Sequence, residues 1–117
     1  MRTLETFKQY YWDFYHAQSK AVQTKIDYVL HIVMTVERVP TKFFKHIEDG
    51  IYEIRIKSGS DIFRIFSFFD EGKLVILLHG FTKKTQKLPR KQIDKAVQLR
   101  RAYYELKQQN DKPENDQ

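Results

Sequence analysis

Residues Ile51 to Arg90 read IYEIRIKSGSDIFRIFSFFDEGKLVILLHGFTKKTQKLPR, and the punctuation of that stretch decides the fold. Three runs rich in β-branched and aromatic residues are separated by Ser58-Gly59-Ser60-Asp61 and Asp70-Glu71-Gly72-Lys73, segments of the kind that close tight hairpins. The reading is a three-stranded antiparallel meander. With Gly59-Ser60 as a two-residue loop of the II′ type, Ser58 faces Asp61 and, counting outward, Arg55 sits opposite Arg64 on one face. The other face of this pair collects Tyr52, Ile54, Ile56, Phe63, Ile65 and Phe69, an apolar set for helices to cover. With Glu71-Gly72 as the second loop, Phe68 pairs with Val75, Phe66 with Leu77 and Arg64 with His79, so one row across the sheet reads Arg55, Arg64, His79. Like charges directly opposite in a sheet cost roughly 0.2–1 kcal/mol, which points to a role for that row. The plainer alternative is an arginine stem lying over apolar surface with its head in water. A one-residue bulge would re-sort the faces.

Working outward, Thr6 to Phe14 is dense in Phe, Tyr and Trp and reads as a strand, although Phe7, Tyr10, Tyr11 and Phe14 also fall at helical spacing. From Ser19, an N-cap residue, apolar residues recur at Val22, Ile26, Val29, Leu30, Val33 and Val36, which predicts an amphipathic helix ending before Pro40. Thr41 is expected to cap a short second helix carrying Phe43, Phe44 and Ile47 and stopped by Gly50, which completes a helical hairpin. A last helix should begin near Pro89 and bury Ile93, Ala96, Val97, Leu99 or Tyr103, and Leu106, with Lys95, Arg100, Arg101 and Lys107 on a solvated face. The fold class is therefore α+β. A helical hairpin packs on one face of a small curved antiparallel sheet, extended by the N-terminal strand, with a C-terminal helix, and the opposite face carries the basic row.

The 117 residues suffice for one domain, expected over residues 1–109 with a polar disordered tail at 110–117. The formal net charge is +6, and with one Lys against three acids from Asn110 onward the body is more basic still. An acidic partner is implied: nucleic acid, an anionic membrane surface or an acidic protein. There is no cysteine, which excludes disulfides, thiolate catalysis and cysteine zinc sites and fits a reducing compartment. No secretory or membrane-spanning apolar run is present, so a cytoplasmic protein is expected. His16, His31, His46 and His79 show no metal-ligand spacing, and neither a metal nor a cofactor is expected.

Between Lys83 and Lys91 lie Lys83, Lys84, Lys87, Arg90 and Lys91 with no acid among them, a usable phosphate clamp at the end of the third meander strand. Beside Arg55, Arg64 and His79, such a clamp has the parts for cleaving RNA through its own 2′-OH. That reaction needs a base, an acid for the leaving 5′-oxygen, and cations for the added negative charge, but no metal. Arginine suits the last task because its fork donates two bonds to phosphate oxygens and stays charged. A lysine crowded by other cations, or His79 near neutral pH, could move the proton.

The run from Gly50 to Pro89, with YEIRIKS, FRIFSFF and GFTKKTQKLP in order, resembles the phage-derived, HigB-like branch of the RelE/ParE toxin superfamily, and the likeness extends from about Ser19 to Tyr104. The resemblance implies the toxin of a type II toxin–antitoxin pair that acts as a metal-independent, ribosome-dependent endoribonuclease, an mRNA interferase that stops translation. Position by position it points to Arg55, Arg64, Lys83 and Lys84 as the catalytic set, to which the register argument adds His79. Lys57 belongs to the same motif, and Lys57, Lys87, Arg90 and Lys91 are the expected RNA contacts. The implied partners are messenger RNA on the ribosome, ribosomal RNA and a helix-turn-helix, HigA-like antitoxin, with no membrane. The chain lacks the tyrosine that some relatives carry after the position of Lys84. Three alternatives share the features read so far: a ParE-type toxin that inhibits DNA gyrase, a non-catalytic nucleic-acid-binding module, and a degenerate toxin retained for antitoxin binding.

Overall fold

Three runs rich in β-branched and aromatic residues build the meander, and the meander forms the centre of a wider sheet. The structure, a computed structural model, describes residues 1–83, 87 and 89–111, Lys83 and Asp111 by backbone alone. In chain order the elements are β1 (Thr3–Thr6), α1 (Tyr10–His16), α2 (Lys20–Thr35), β2 (Phe44–Glu48), β3 (Ile51–Ser58), β4 (Asp61–Phe69), β5 (Leu74–Lys83) and α3 (Arg90–Asp111). The strands order as β1-β5-β4-β3-β2, antiparallel except for β1, which lies parallel to β5. This is an α+β fold with a mixed sheet and a C-terminal helix.

The first hairpin is as the turn chemistry requires: Ser58 faces Asp61, Arg55 faces Arg64 and Ile54 faces Ile65. Ile54, Ile56, Phe63 and Ile65 join Tyr11 and Phe14 of α1 and Ile26, Val29 and Val33 of α2 in one buried cluster. Each aliphatic side chain so buried contributes about 1.5–3 kcal/mol. Ser19 Oγ accepts from the Val22 N–H at 3.3 Å and caps α2, which ends at Thr35.

Two expected elements are corrected. The aromatic N-terminal segment is not a strand over Thr6 to Phe14. The strand ends at Thr6, and Tyr10 to His16 is helical, because Tyr11 and Phe14 are buried one turn apart against the sheet. The helical hairpin is thus α1 with α2. No helix follows Thr41; Phe44 to Glu48 is an edge strand. Glu48 pairs with Ile51 around Asp49 and Gly50, both at positive φ (50° and 76°), the two-residue hairpin of type I′. An Asp-Gly pair is among the strongest signals for that turn, and it outweighs helix propensity here.

The second hairpin is also out of the expected register. Asp70 N–H donates to Leu74 O, leaving a three-residue connection in place of two, so Phe69 pairs with Val75 and Ser67 with Leu77. A bulge then sets Leu78 and His79 against Phe66 alone, beyond which Ile65 pairs with Gly80 and Arg64 with Phe81. The one-residue slip puts Val75 and Leu77 in the α1–α2 cluster. Ile76 and Leu78 go to the opposite face.

That opposite face is half covered. Ile93, Ala96 and Leu99 of α3 pack with Phe7, Ile51, Phe66, Phe68, Ile76 and Leu78. Leu106, expected in the core, is 42% exposed. Two of the cations assigned to a solvated face anchor α3 instead. The Arg100 guanidinium lies over Phe68 and Tyr104 and donates to Asp49 O at 2.8 Å, and Lys107 Nζ lies 2.9 Å from Asp70 Oδ2. α3 runs to Asp111, into the segment expected as tail, and residues 112–117 lie outside the described residues.

Candidate nucleic-acid interface

The period of two along β3 places Glu53, Arg55 and Lys57 on the α3 side of the sheet, and antiparallel pairing brings Phe66, Arg64 and Ile62 of β4 beside them. Arg55 and Arg64 are directly opposite, and the carboxylate two residues before Arg55 resolves their repulsion. Glu53 Oε2 lies 2.7 Å from Arg64 Nη1, and its Oε1 lies 3.5 Å from Arg55 Nε. Glu53 and Arg64 are 2% and 3% exposed. Burial pulls the Arg64 pKa below its ordinary value, Glu53 opposes that shift and Arg55 adds to it. The guanidinium nevertheless stays charged at any working pH. One buried carboxylate thus pairs closely with Arg64, approaches Arg55, and cancels one of their two charges.

Arg55 is the more accessible of the two, its side chain 34% exposed. It opens, with Lys57 and Ile62, onto a cleft of about 270 Å³ whose other walls are Lys42 and Phe43. Among the described residues none of α3 lines this cleft, which lies on the part of the sheet face that α3 does not cover. The Arg55 N–H donates to Phe43 O at 2.9 Å, so the segment leading into β2 is strapped to β3 at the site. Lys83 ends β5 as the backbone partner of Ile62, which is itself the partner of Lys57. Such an array, cations around an apolar floor, is suited to phosphate oxygens at its rim.

Of the residues expected to act, the structure therefore brings together Arg55, Arg64 and Lys57, with Lys83 next in register. Lys84 lies outside the described residues. Lys87 and Lys91 are exposed. Arg90 is committed elsewhere: it forms a bidentate pair with Glu48 and a 3.0 Å contact with Asp94, which raise its pKa, and its bonds to Glu48 lower the pKa of that carboxylate.

His79 is corrected as the cross-strand partner of Arg64, whose partner is Phe81. The bulge turns it under α3, where it is 4% exposed, stacks on Phe81, meets the edge of Phe66, and has Nε2 2.9 Å from Gln92 Oε1. An amide oxygen only accepts, so Nε2 carries the proton and Nδ1 is bare. Burial lowers the pKa from 6.5 to about 4 against the raising effect of Gln92, with Lys95 lowering it further, so the ring is neutral near pH 7.

Sequence reading missed Glu53, Lys42 and Phe43. Glu53 was within reach of parity, two residues from Arg55 on the same face; Lys42 and Phe43 join only through the β2–β3 pairing. Among the described residues no group of three or more His, Cys, Asp or Glu is placed to hold a metal ion, and no helix is long and apolar enough to cross a membrane.

A comparison with curated proteins finds no match. The family model described as "Phage derived protein Gp49-like (DUF891)" matches residues 13–101, which span α1 to the middle of α3 and include every residue of the cleft. The chain belongs to this Gp49-like phage-derived family, a RelE-like toxin family.

Proposed function

We propose that this protein is the HigB-like toxin of a type II toxin–antitoxin pair and acts as a ribosome-dependent endoribonuclease on messenger RNA, cutting without a metal. The observation that carries the reading is the pairing of Arg55 with Arg64 across β3 and β4, held by Glu53 and flanked by Lys57, on the half of the sheet that α3 leaves open. When the 2′-OH attacks the adjacent phosphate, negative charge grows on the phosphoryl oxygens. A cation fixed in advance stabilises that state more than the ground state. Arg55 supplies the accessible donors and Arg64, through Glu53, sets their position. Proton transfer falls to Lys83 or Lys84, since the neutral, enclosed His79 is no acid for the leaving oxygen. Ribosomal RNA would take the surrounding lysines, and a helix-turn-helix, HigA-like antitoxin in the cytoplasm would silence the toxin.

The test is messenger RNA cleavage in a purified translation system, with ribosomes present or omitted, comparing wild type with Arg55→Ala. Cuts that need the ribosome and vanish in the variant support the reading. Intact messages with undiminished translation overturn it, in favour of a gyrase inhibitor or a binding module.

A further inference from the structure

Resting on that reading, we infer that Phe43 is a stacking platform for one unpaired base of the RNA whose phosphates Arg55 and Lys57 hold. The cleft has an apolar floor, Phe43 and Ile62, and a cationic rim, Lys42, Arg55 and Lys57, with no acid among its described lining residues. A strip of bare phosphates needs only the rim. An apolar floor within it asks for a ligand that carries a flat apolar group beside an anion, and a nucleotide is that ligand. Volume supports a single base: about 270 Å³ lies below the usual range of pockets for larger small molecules.

Phe43 is also placed for the task. Its ring is only partly buried although it abuts the α1–α2 core, so one side is seated while the remainder borders the cleft. Its backbone is held at both ends, N–H to Pro40 O and O from Arg55 N–H, each at 2.9 Å. The distance between ring and arginine is thereby set by the sheet. Lys42 Nζ stands 5.0 Å from the ring centroid, a cation over a π-face that an incoming base would take while the ammonium turns to a phosphate. A base can reach such a platform only when unpaired, which selects single-stranded RNA over a duplex. Bound there, the base sits beside the phosphate at Arg55, so Phe43 would set a preference for the nucleotide flanking the cut.

The experiment is equilibrium binding of the full chain to a short single-stranded RNA and to the same oligomer with its central base removed. The wild type should bind the complete oligomer about tenfold tighter. Phe43→Leu, which keeps the core contact without an aromatic face, should erase that difference, and Phe43→Tyr should keep it. Equal binding of the two oligomers by the wild type, a gap that survives in Phe43→Leu, or no binding of either oligomer overturns the inference. Because this readout needs no cleavage, the two readings fail separately. A base-dependent gap with uncut messages in the translation system sinks the nuclease alone, and cut messages without a gap sink the platform alone.

Discussion

Glu53 and Arg64 meet 2.7 Å apart on the diagonal between β3 and β4, both side chains sealed from solvent. The pair makes Arg64 a structural residue as well as a candidate for phosphate binding, because removing one partner strands the other charge in a dry site. Arg64→Ala should lower unfolding free energy by about 3–5 kcal/mol in a denaturant titration. The double variant Glu53→Leu with Arg64→Met should recover most of that stability, since apolar replacements of similar volume remove both charges. It should cut no message. A stable single Arg64→Ala protein would show that the two groups are not paired in solution.

Arg55 separates the two roles. It is half-buried, faces the cleft and holds Glu53 only at 3.5 Å, while its removal also relieves the repulsion from Arg64. Arg55→Ala should therefore change stability by about 1 kcal/mol or less and reduce cutting by about 10²–10³-fold. Kinetics and thermal melting on one preparation decide between them: parallel loss would mean that Arg55 is scaffold.

Lys57 is exposed at the rim, two residues along the same face. Lys57→Ala should leave stability within about 0.5 kcal/mol of wild type. The slope of log affinity for RNA against log salt should fall by about 1, as for the loss of one phosphate contact. An unchanged slope would place the RNA elsewhere.

His79 gives the fold a pH dependence of its own. Its folded pKa, about 4, lies below the ordinary 6.5 because burial disfavours the charged ring. Above 6.5 both folded and unfolded rings are neutral and the contribution is complete. As pH falls, the unfolded chain takes up the proton first, and stability is lost between about 6.5 and 4, on the order of 3 kcal/mol in full. Comparing urea midpoints at pH 7 and pH 5 reads this without entering the carboxylate range. His79→Phe, which keeps the stack on Phe81, should flatten the difference; an unaltered pH response would assign it to other groups.

The local signals in the sequence carried far. Loop chemistry at Gly59-Ser60 sufficed to pair Arg55 with Arg64, because a two-residue turn leaves one register and the alternation of Ile54, Ile56, Phe63 and Ile65 agrees with it. The second hairpin was not legible in this way. Asp70 to Lys73 can close with two or three residues, and the bulge at Leu78 and His79 is decided by packing: the run Leu74 to Leu78 of β5, apolar throughout, satisfies either face until α1 and α3 take their places. At β2 the signal was present, Asp49-Gly50, but the aromatic spacing of Phe43, Phe44 and Ile47 fitted a helix equally well. The candidate site was correspondingly half visible. Its arginines followed from parity, whereas Phe43 and Lys42 came only with the edge strand.

Gly80 tests the bulge itself. Immediately after His79 turns towards α3, Gly80 faces α1, where a Cβ would fall on the ring of Phe14. Two consecutive residues on opposite sides are ordinary in a strand, but here the residue before them, Leu78, shares the side of His79, and only the extra residue of the bulge permits that. Gly80→Ala should cost about 1–3 kcal/mol by overpacking, read from denaturant midpoints. In a Phe14→Ala background, the same substitution should cost at least about 1 kcal/mol less, because the three atoms a Cβ would meet first all belong to that ring. If the two costs simply add, α1 does not lie on Gly80. The register that carries Arg64 beside Phe81, and hence the open cationic half of the sheet, would then have to be redrawn.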